Sequence, residues 1–143
     1  MRLKEIEDEK ELISFRDFLL KQPQWYPSFK DWVDSKCVPR VERGEYKAIF
    51  AYSDGIIGDA VYRRLTQDTI EIKNFRIDEE YRHRDLGRFL LRQVEYDNPS
   101  SNLVLDVTLD NFSGIEFFVR NGFHIISREE LYKKGQYELV MRK

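Results

Sequence analysis

The sequence predicts a single mixed α/β domain in which two strands run parallel. At 143 residues the chain has the length of one ordinary domain. Residues 69–96 begin with β-branched and aromatic residues at near-alternating spacing and then change to helical spacing, which indicates a strand, a loop and a helix. Alternating leucine and valine residues predict another strand at Leu103–Leu109. A strand, a crossover helix and a second strand form a βαβ unit, whose strands are parallel.

The N-terminal third is predicted to form a short strand and two helices. Leu3–Ile6 has the strand pattern, and an acidic segment then leads into helical spacing that Pro23 ends. Pro27 suits the start of a second helix, and we expect Pro39 to stop that helix because proline cannot continue it.

Further strands and one short helix fill the remaining chain. An Asp-Gly pair at residues 54–55 is a strong hairpin signal, and a glycine turn follows the short helix. The predicted elements are a hairpin of Tyr46–Tyr52 with Ile56–Arg64, a helix at Ser113–Arg120, and a final strand pair around Ile125 and Tyr137–Met141.

Composition bounds the function. The chain is 41% hydrophobic and 35% charged, with a formal net charge of −2, so it is globular and has no general basic field for nucleic acid. We find no apolar run of membrane-spanning length and no signal-peptide core, and therefore expect a cytoplasmic protein without a membrane partner. The single cysteine, Cys37, cannot form an intrachain disulfide or by itself a metal site, and is expected in the core.

The loop between the central strand and its helix has the features of an anion site. It carries Arg82, His83 and Arg84, and it places Gly87 in the first turn of the helix. The free backbone N–H groups and the positive dipole end of a helix favour an anion there. Neither a GxGxxG fingerprint nor a Walker A lysine motif is present.

Two blocks resemble a known family. Arg82-His83-Arg84-Asp85-Leu86-Gly87 is similar to motif A of the GNAT N-acetyltransferase superfamily, which holds the pyrophosphate of acetyl-CoA. Asn111–Phe123 is similar to motif B, and the order and separation of the two blocks fit. The resemblance covers about Lys47 to Lys143. Together with the pattern it implies a mixed sheet of about seven strands, with a central parallel pair that splays at its end and three or four helices on its two faces.

The resemblance also implies which residues bind acetyl-CoA, the expected co-substrate. Backbone groups of Phe75 and Ile77 are assigned to the pantetheine arm, and Asn111 is a further contact to it. The loop amides that face the pyrophosphate belong to Arg82, His83, Arg84, Asp85, Leu86 and Gly87, and the side chains that could pair with phosphate are those of Arg82, Arg84 and Arg88. Salt bridges to Glu79, Glu80 or Asp85 are the alternative role for these arginines.

Glu71 is the candidate general base. An amine with a reference pKa near ~10.4 is protonated at neutral pH, so a base must remove its proton before attack on the thioester. Glu71 lies on the central strand, eleven residues before Arg82, and in the resembling histone-modifying branch of the family a glutamate at this spacing is the base. The alternative is a solvent-facing strand residue, and Asp106 and Asp110 are weaker candidates.

Two positions depart from the family pattern. Asp85 stands at the first glycine of motif A, where it would cap the helix, pair with a neighbouring arginine, or repel an anion if unpaired; we favour the cap. Phe118 stands where many members carry a tyrosine that protonates the leaving thiolate. Water, Tyr132 or Tyr137 could replace that donor, or the thiolate could leave unprotonated, given a reference pKa near ~8.5.

The expected function is transfer of an acetyl group from acetyl-CoA to a primary amine by direct attack in a ternary complex. We expect the acceptor between the segment Trp25–Val33 and the end of the central strand, where the aromatic residues are either pocket or core. An acyl-CoA-binding sensor without turnover is the alternative. A toxin that acetylates charged tRNA would need a broad basic surface, which the charge balance disfavours. The sequence does not determine the oligomeric state, and a homodimer is one possibility.

Overall fold

The computed structural model describes residues 2–23 and 26–143, which form a seven-stranded sheet with helices on both faces. The strand order is β1-β2-β3-β4-β5-β7-β6. The strands are β1 Arg2–Glu5, β2 Lys47–Tyr52, β3 Ile56–Thr66, β4 Thr69–Ile77, β5 Asn102–Thr108, β6 His124–Lys133 and β7 Gln136–Arg142. The helices are α1 Glu9–Leu20, α2 Phe29–Trp32, α3 Val38–Glu42, α4 Leu86–Asp97 and α5 Phe112–Arg120. The predicted mixed sheet, the hairpin and the final strand pair are confirmed.

Strands β4 and β5 form the predicted parallel pair, but only at their starts. Residues Thr69–Glu71 pair with Asn102–Val104, and helix α4 connects the two strands. Beyond this point β4 remains paired with β3 on its other side, and β5 with β7. The second half of β4 therefore parts from β5 and leaves an opening in the middle of the sheet.

A β-bulge in β4 explains its near-alternating apolar pattern. Asn74 pairs with Val61 and Ile72 pairs with Tyr62, so Lys73 is an extra residue in the ladder. The bulge shifts the alternation by one residue. As a result, Ile70 and Ile72 before it, and the partly buried Phe75 and Ile77 after it, all belong to the core cluster beneath α4 and α5.

Two large clusters form most of the core, one on each face of the sheet, and a small third cluster contains Ala51, Ile57 and Leu86. The face under α4 and α5 is packed with aliphatic and aromatic side chains, among them Ile70, Leu90, Leu91, Val94, Leu103 and Met141. The face under α1, α2 and α3 holds a second cluster that includes Phe15, Leu19, Phe29, Val33, Cys37 and Tyr46. Cys37 is fully buried and burial raises its pKa, as a core cysteine requires.

The prediction that Pro39 stops the second helix is wrong. Helix α2 continues through a π-helical turn, Val33–Cys37, directly into α3. In that turn the N–H of Val38 bonds to the carbonyl of Val33, one residue further back than in an α-helix. Pro39 then occupies the first turn of α3, where its fixed φ is tolerated and its missing N–H costs little.

Candidate active site

The opening between β4 and β5 is bordered by acidic and tyrosine side chains on the face that carries α1 and α2. Leu105 and Val107 of β5 face the α4 cluster, so Asp106 between them points to the opposite face. On β7, Leu139 likewise leaves Glu138 on that face. Strand alternation thus collects carboxylates from neighbouring strands beside the opening.

Glu71 is held by two cations. Its carboxylate accepts a hydrogen bond from Arg63 Nε at 2.7 Å and lies 3.7 Å from Lys73 Nζ. Arg63 is its register partner on β3, and Lys73 is the bulged residue of β4. The Glu71 side chain is 20% exposed, so it is neither buried nor a freely solvated surface group. These contacts fix the orientation of Glu71, which is the last residue of β4 that pairs with β5.

Asp106 lies in a less polar setting beside Tyr132. The Tyr132 hydroxyl donates to both Asp106 oxygens at 2.9 Å. Burial, with the charges of Glu138 and Glu71, raises the pKa of Asp106, while the tyrosine hydrogen bond and Lys73 oppose the rise. The opening therefore holds two carboxylates of different character. Asp110, the other alternative, is exposed beyond the end of β5.

Two more groups complete this face. The Tyr26 ring meets the Tyr132 ring edge-on, with centroids 4.8 Å apart, and burial raises the pKa of Tyr26. Glu138 is fully buried, and Gln136 Nε2 donates to its Oε1 at 2.9 Å. Its Oε2 has no hydrogen-bond partner among the residues that the structure describes. Trp25 lies outside the described residues.

The β4–α4 loop is open to an anion. His83 and Asp85 both have left-handed backbones, with φ of 64° and 60°. Arg82 Nε donates to the carbonyl of Ile77 at 3.0 Å, and the Arg84 guanidinium lies 5.8 Å from the Tyr81 ring centroid. In residues 2–23 and 26–143, no ion pair joins these two arginines or Arg88 to a carboxylate. The salt-bridge alternative for the loop arginines is therefore not found.

The prediction that Asp85 caps helix α4 is wrong. Asp85 occupies the cap position, but its side chain accepts no hydrogen bond from the helix. Asp8, at the start of α1, shows the usual arrangement: its backbone is extended, with φ of −145°, and its side chain accepts from Glu11 N at 2.8 Å. The left-handed backbone of Asp85 replaces that extended geometry. The first amides of α4 are thus left without this cap.

Glycine at position 87 is required by close packing against α5. A Cβ atom there would lie 2.8 Å from Phe117 Cε1. Asn111 caps α5, accepting from Gly114 N at 3.1 Å. Phe118 is 7% exposed and packs edge-on against three other phenylalanine rings, Phe75, Phe117 and Phe123. Helix α5 therefore braces the start of α4.

Glu71 and Asp106 border the opening, and the loop arginines follow the far end of β4. The structure adds residues to the site that are not among the predicted site residues. These are Arg63, Lys73 and Glu138. Their position follows from strand register, which a hairpin turn alone does not reveal. The alternation of Tyr137, Leu139 and Met141, with Glu138 between the first two, is the sequence signal for Glu138.

The model of the Acetyltransferase (GNAT) family matches residues 6–123. The chain belongs to this family. It is therefore an acetyltransferase, with acetyl-CoA as its co-substrate. A comparison with curated proteins found no match.

Solved structures of GNAT enzymes share the fold of this chain at low sequence identity. The ribosomal-protein-S18-alanine N-acetyltransferase of Escherichia coli is 16% identical, with a TM-score of 0.75 over 99% of this chain and 91% of its own. An aminoglycoside 6'-N-acetyltransferase in complex with coenzyme A is also 16% identical, with a TM-score of 0.77 over 100% and 96%. The PaiA N-acetyltransferase of Thermoplasma acidophilum, also in complex with coenzyme A, is 18% identical, with a TM-score of 0.75 over 100% and 99%.

The residues at the opening fit coenzyme A. The loop offers arginines without carboxylate partners and uncapped amides, and the unpaired edge of β4 offers backbone groups to a polar arm. The exposed carboxylate of Asp85, directly before α4, opposes an anion at this position. No cluster of three or more metal-ligating side chains occurs in the described part of the chain, and none of its helices is long and apolar enough to cross a membrane.

Proposed function

We propose that this acetyltransferase transfers the acetyl group to a primary amine by direct attack, with both substrates bound in the opening between β4 and β5. The observation that carries the proposal is that oppositely charged groups lie around the opening between β4 and β5. A loop with unpaired arginines lies at the end of β4, and the carboxylates Glu71 and Asp106 lie on the face of α1 and α2.

Acetyl-CoA supplies the activated thioester, and the β4–α4 loop would hold its pyrophosphate. The amides from Arg82 to Gly87 and the side chains of Arg82, Arg84 and Arg88 are the donors for it. Backbone groups of Phe75 and Ile77 are free of β5 and would bind the pantetheine arm. Asn111 would contribute through its amide nitrogen, because its oxygen already caps α5.

Glu71 is our proposed general base. Glu71 is the last residue of β4 that pairs with β5, so it lies where the opening begins. Arg63 and Lys73 hold its carboxylate in a defined orientation. It would take the proton of the protonated amine directly or through one water. Asp106 is the second candidate, because its carboxylate borders the opening and burial raises its pKa, which makes it a better proton acceptor.

Tyr132 is favoured over Tyr137 as a proton donor to the leaving thiolate. Phe118 has no proton to donate and lies in an aromatic cluster. The Tyr132 hydroxyl lies beside the opening, where it donates to Asp106 and would have to turn from it to reach the thiolate. Burial and Asp106 raise the pKa of Tyr132, which keeps the hydroxyl protonated but makes it a weaker acid. The ring of Tyr137 instead faces Arg128, whose guanidinium is 4.2 Å from its centroid.

The amine would approach from the α1–α2 side. A protonated amine is attracted to the carboxylates there, and the rings of Tyr26 and Tyr132 offer faces that suit a cation. Phe29 is a core residue, 5% exposed, so it is not a wall of this site.

The experiment is thiol release from acetyl-CoA with a panel of acceptors: small diamines, lysine peptides, peptides with a free N-terminus and aminoglycosides. We expect release that depends on one class of amine, and a rise in melting temperature with coenzyme A alone. Binding of acetyl-CoA without release for any amine would favour the sensor module instead. No thermal shift at millimolar coenzyme A would contradict the cofactor site itself.

A further inference from the structure

A cleft lined by four arginines lies at the start of β4, far from the β4–α4 loop. It has a volume of about 330 Å³ and is lined by Arg40, Arg43, Glu45, Tyr46, Arg63 and Arg64. Arg64 pairs with Ile70, and β4 ends at Ile77, so about 23 Å of strand separates the cleft from the loop. The cleft is therefore distinct from the site proposed for pyrophosphate.

Positive charge exceeds negative charge in this cleft. Arg43 Nη2 is 2.8 Å from Glu45, and Arg63 Nε is 2.7 Å from Glu71. Arg40 and Arg64 form no ion pair with any carboxylate that the structure describes. Two guanidinium charges are thus left unbalanced, in a chain whose formal net charge is −2.

Neutral contacts hold these two arginines in place and leave part of their hydrogen-bond donors free for a ligand. Arg40 Nη1 donates to the Tyr46 hydroxyl at 2.9 Å, and its guanidinium lies 5.4 Å from the centroid of that ring. Arg64 Nη1 donates to the carbonyl of Gln67 at 2.8 Å, and its Nη2 donates to Asn98 Oδ1 at 3.5 Å and to Ser101 Oγ at 3.3 Å. A guanidinium carries five N–H donors, so most of those of Arg40 and two of those of Arg64 remain for a ligand. Arginines ordered in this way lose less entropy when an anion binds.

We propose that this cleft binds a small multivalent oxyanion, either a phosphate monoester or a di- or tricarboxylate. The planar donor fork of arginine matches the paired oxygens of both groups. The volume is within the range of small-molecule sites, and Tyr46 is the only aromatic residue in the lining among those that the structure describes. The polar lining selects an anion over an apolar ligand.

Arg63 connects the cleft to the proposed active site. Arg63 is a lining residue of the cleft, and its Nε donates to Glu71. An anion in the cleft competes with Glu71 for the Arg63 guanidinium, and so weakens the hydrogen bond that orients the Glu71 carboxylate. This connection rests on the proposed function, whereas binding in the cleft does not.

The test is calorimetric titration of inorganic phosphate and of citrate, at low salt, into protein saturated with coenzyme A. Arg40→Gln and Arg64→Gln are the test variants, the second because Arg40 also packs on buried Tyr46. Arg120→Gln, which removes an exposed arginine of α5 paired with Glu116, is the matched control. We expect each test variant to weaken binding at least fivefold and the control to match wild type.

Several outcomes decide the proposal. The absence of saturable binding in wild type, or equal affinity in wild type and both test variants, would overturn it. Stronger binding of phosphate or of citrate identifies which oxyanion chemistry the cleft prefers. The titration requires no turnover, and the cleft variants leave the β4–α4 loop intact. A failure here is therefore separate from a failure of the acetyltransferase site.

Discussion

The two halves of β4 use their charged residues in opposite ways. In the first half, where β4 pairs with strands on both sides, partly exposed charges neutralise one another: Glu71 meets Arg63 and Lys73. The second half no longer pairs with β5, and a buried hydrogen-bonded pair of polar residues stabilises it. Asn74 Nδ2 donates to both oxygens of buried Asp59, at 3.1 and 2.9 Å.

Past this second half, the chain leaves its cations without carboxylate partners. The loop arginines that follow Ile77 form no ion pair in the described residues, although Glu79, Glu80 and Asp85 are close in sequence. The charges are paired in the first half of β4 and unpaired in the loop that follows its second half, which indicates different roles for the two regions. The first half orients a reactive group, and the second presents a binding surface.

The largest expected effect concerns the first half. Glu71→Gln keeps the shape of the side chain but removes its basicity, so turnover should fall roughly 10²- to 10⁴-fold while affinity for coenzyme A is retained. The measurement is thiol release as a function of pH, together with calorimetric titration of coenzyme A. Asp110→Asn is the control, since that carboxylate is exposed beyond β5 and should leave turnover unchanged.

Asp106→Asn separates the two candidate bases. If Glu71 acts as the base, the asparagine variant retains the acidic limb of the pH profile and Glu71→Gln loses it. Full activity of Glu71→Gln with loss of activity in Asp106→Asn would transfer the role to Asp106 and leave Glu71 as a structural ion pair.

The second prediction tests the buried support of the unpaired half. Burial raises the pKa of Asp59 to about 7, against the hydrogen bond from Asn74 and the charge of Arg76. The folded state thus holds this proton more tightly than the unfolded state, whose pKa is near ~3.9, and stability falls as pH rises between the two values. The loss from pH 5 to pH 8 should be about 2 to 3 kcal/mol.

Asp59→Asn cannot titrate and should flatten this dependence. The free energy of unfolding, measured with urea at several pH values for both proteins, gives the two slopes. Other titrating groups are common to both proteins, so the difference between the slopes reports Asp59. Parallel slopes would show that Asp59 is ionised in the fold throughout this range.

Sequence patterns predicted the fold well because period and turn chemistry are local. The near-alternating spacing of β4, the Asp-Gly hairpin and the βαβ order each identify one element or one connection. Pro39 was misread because tolerance of proline depends on the π-helical turn before it, which no local pattern reveals. Arg63 was missed because it meets Glu71 only through strand register.

Asp85 shows a different limit of sequence reading. An aspartate before a helix predicts a cap, and Asp8 confirms that rule in this same chain. At Asp85 the family pattern has glycine, and the left-handed φ of 60° supplies the physical reason for that preference. Aspartate tolerates the left-handed backbone conformation, so the residue type alone does not distinguish the extended, capping geometry of Asp8 from the left-handed geometry of Asp85.

The third prediction concerns the brace beneath the loop. Gly→Ala usually stabilises an exposed helix, but Gly87→Ala should destabilise this protein by about 1 to 3 kcal/mol, because the new methyl group would meet the Phe117 ring. The measurement is urea unfolding. In a Phe117→Leu background the smaller side chain gives way, so Gly87→Ala should cost less there. An equal cost in both backgrounds would exclude this contact as the cause.

The smallest expected effect is at Asp85, whose exposed carboxylate stands beside the uncapped start of α4. Asp85→Gly removes the charge and the left-handed strain, and should tighten coenzyme A binding about tenfold, or 1.4 kcal/mol, with the gain fading at high salt. Asp85→Asn removes only the charge and should give most of the same gain. Asp8→Gly, at a working cap, should cost a few tenths of a kcal/mol and leave affinity unchanged. Calorimetry at two salt concentrations decides the matter: equal affinities of wild type and Asp85→Asn would mean that this carboxylate does not oppose the pyrophosphate.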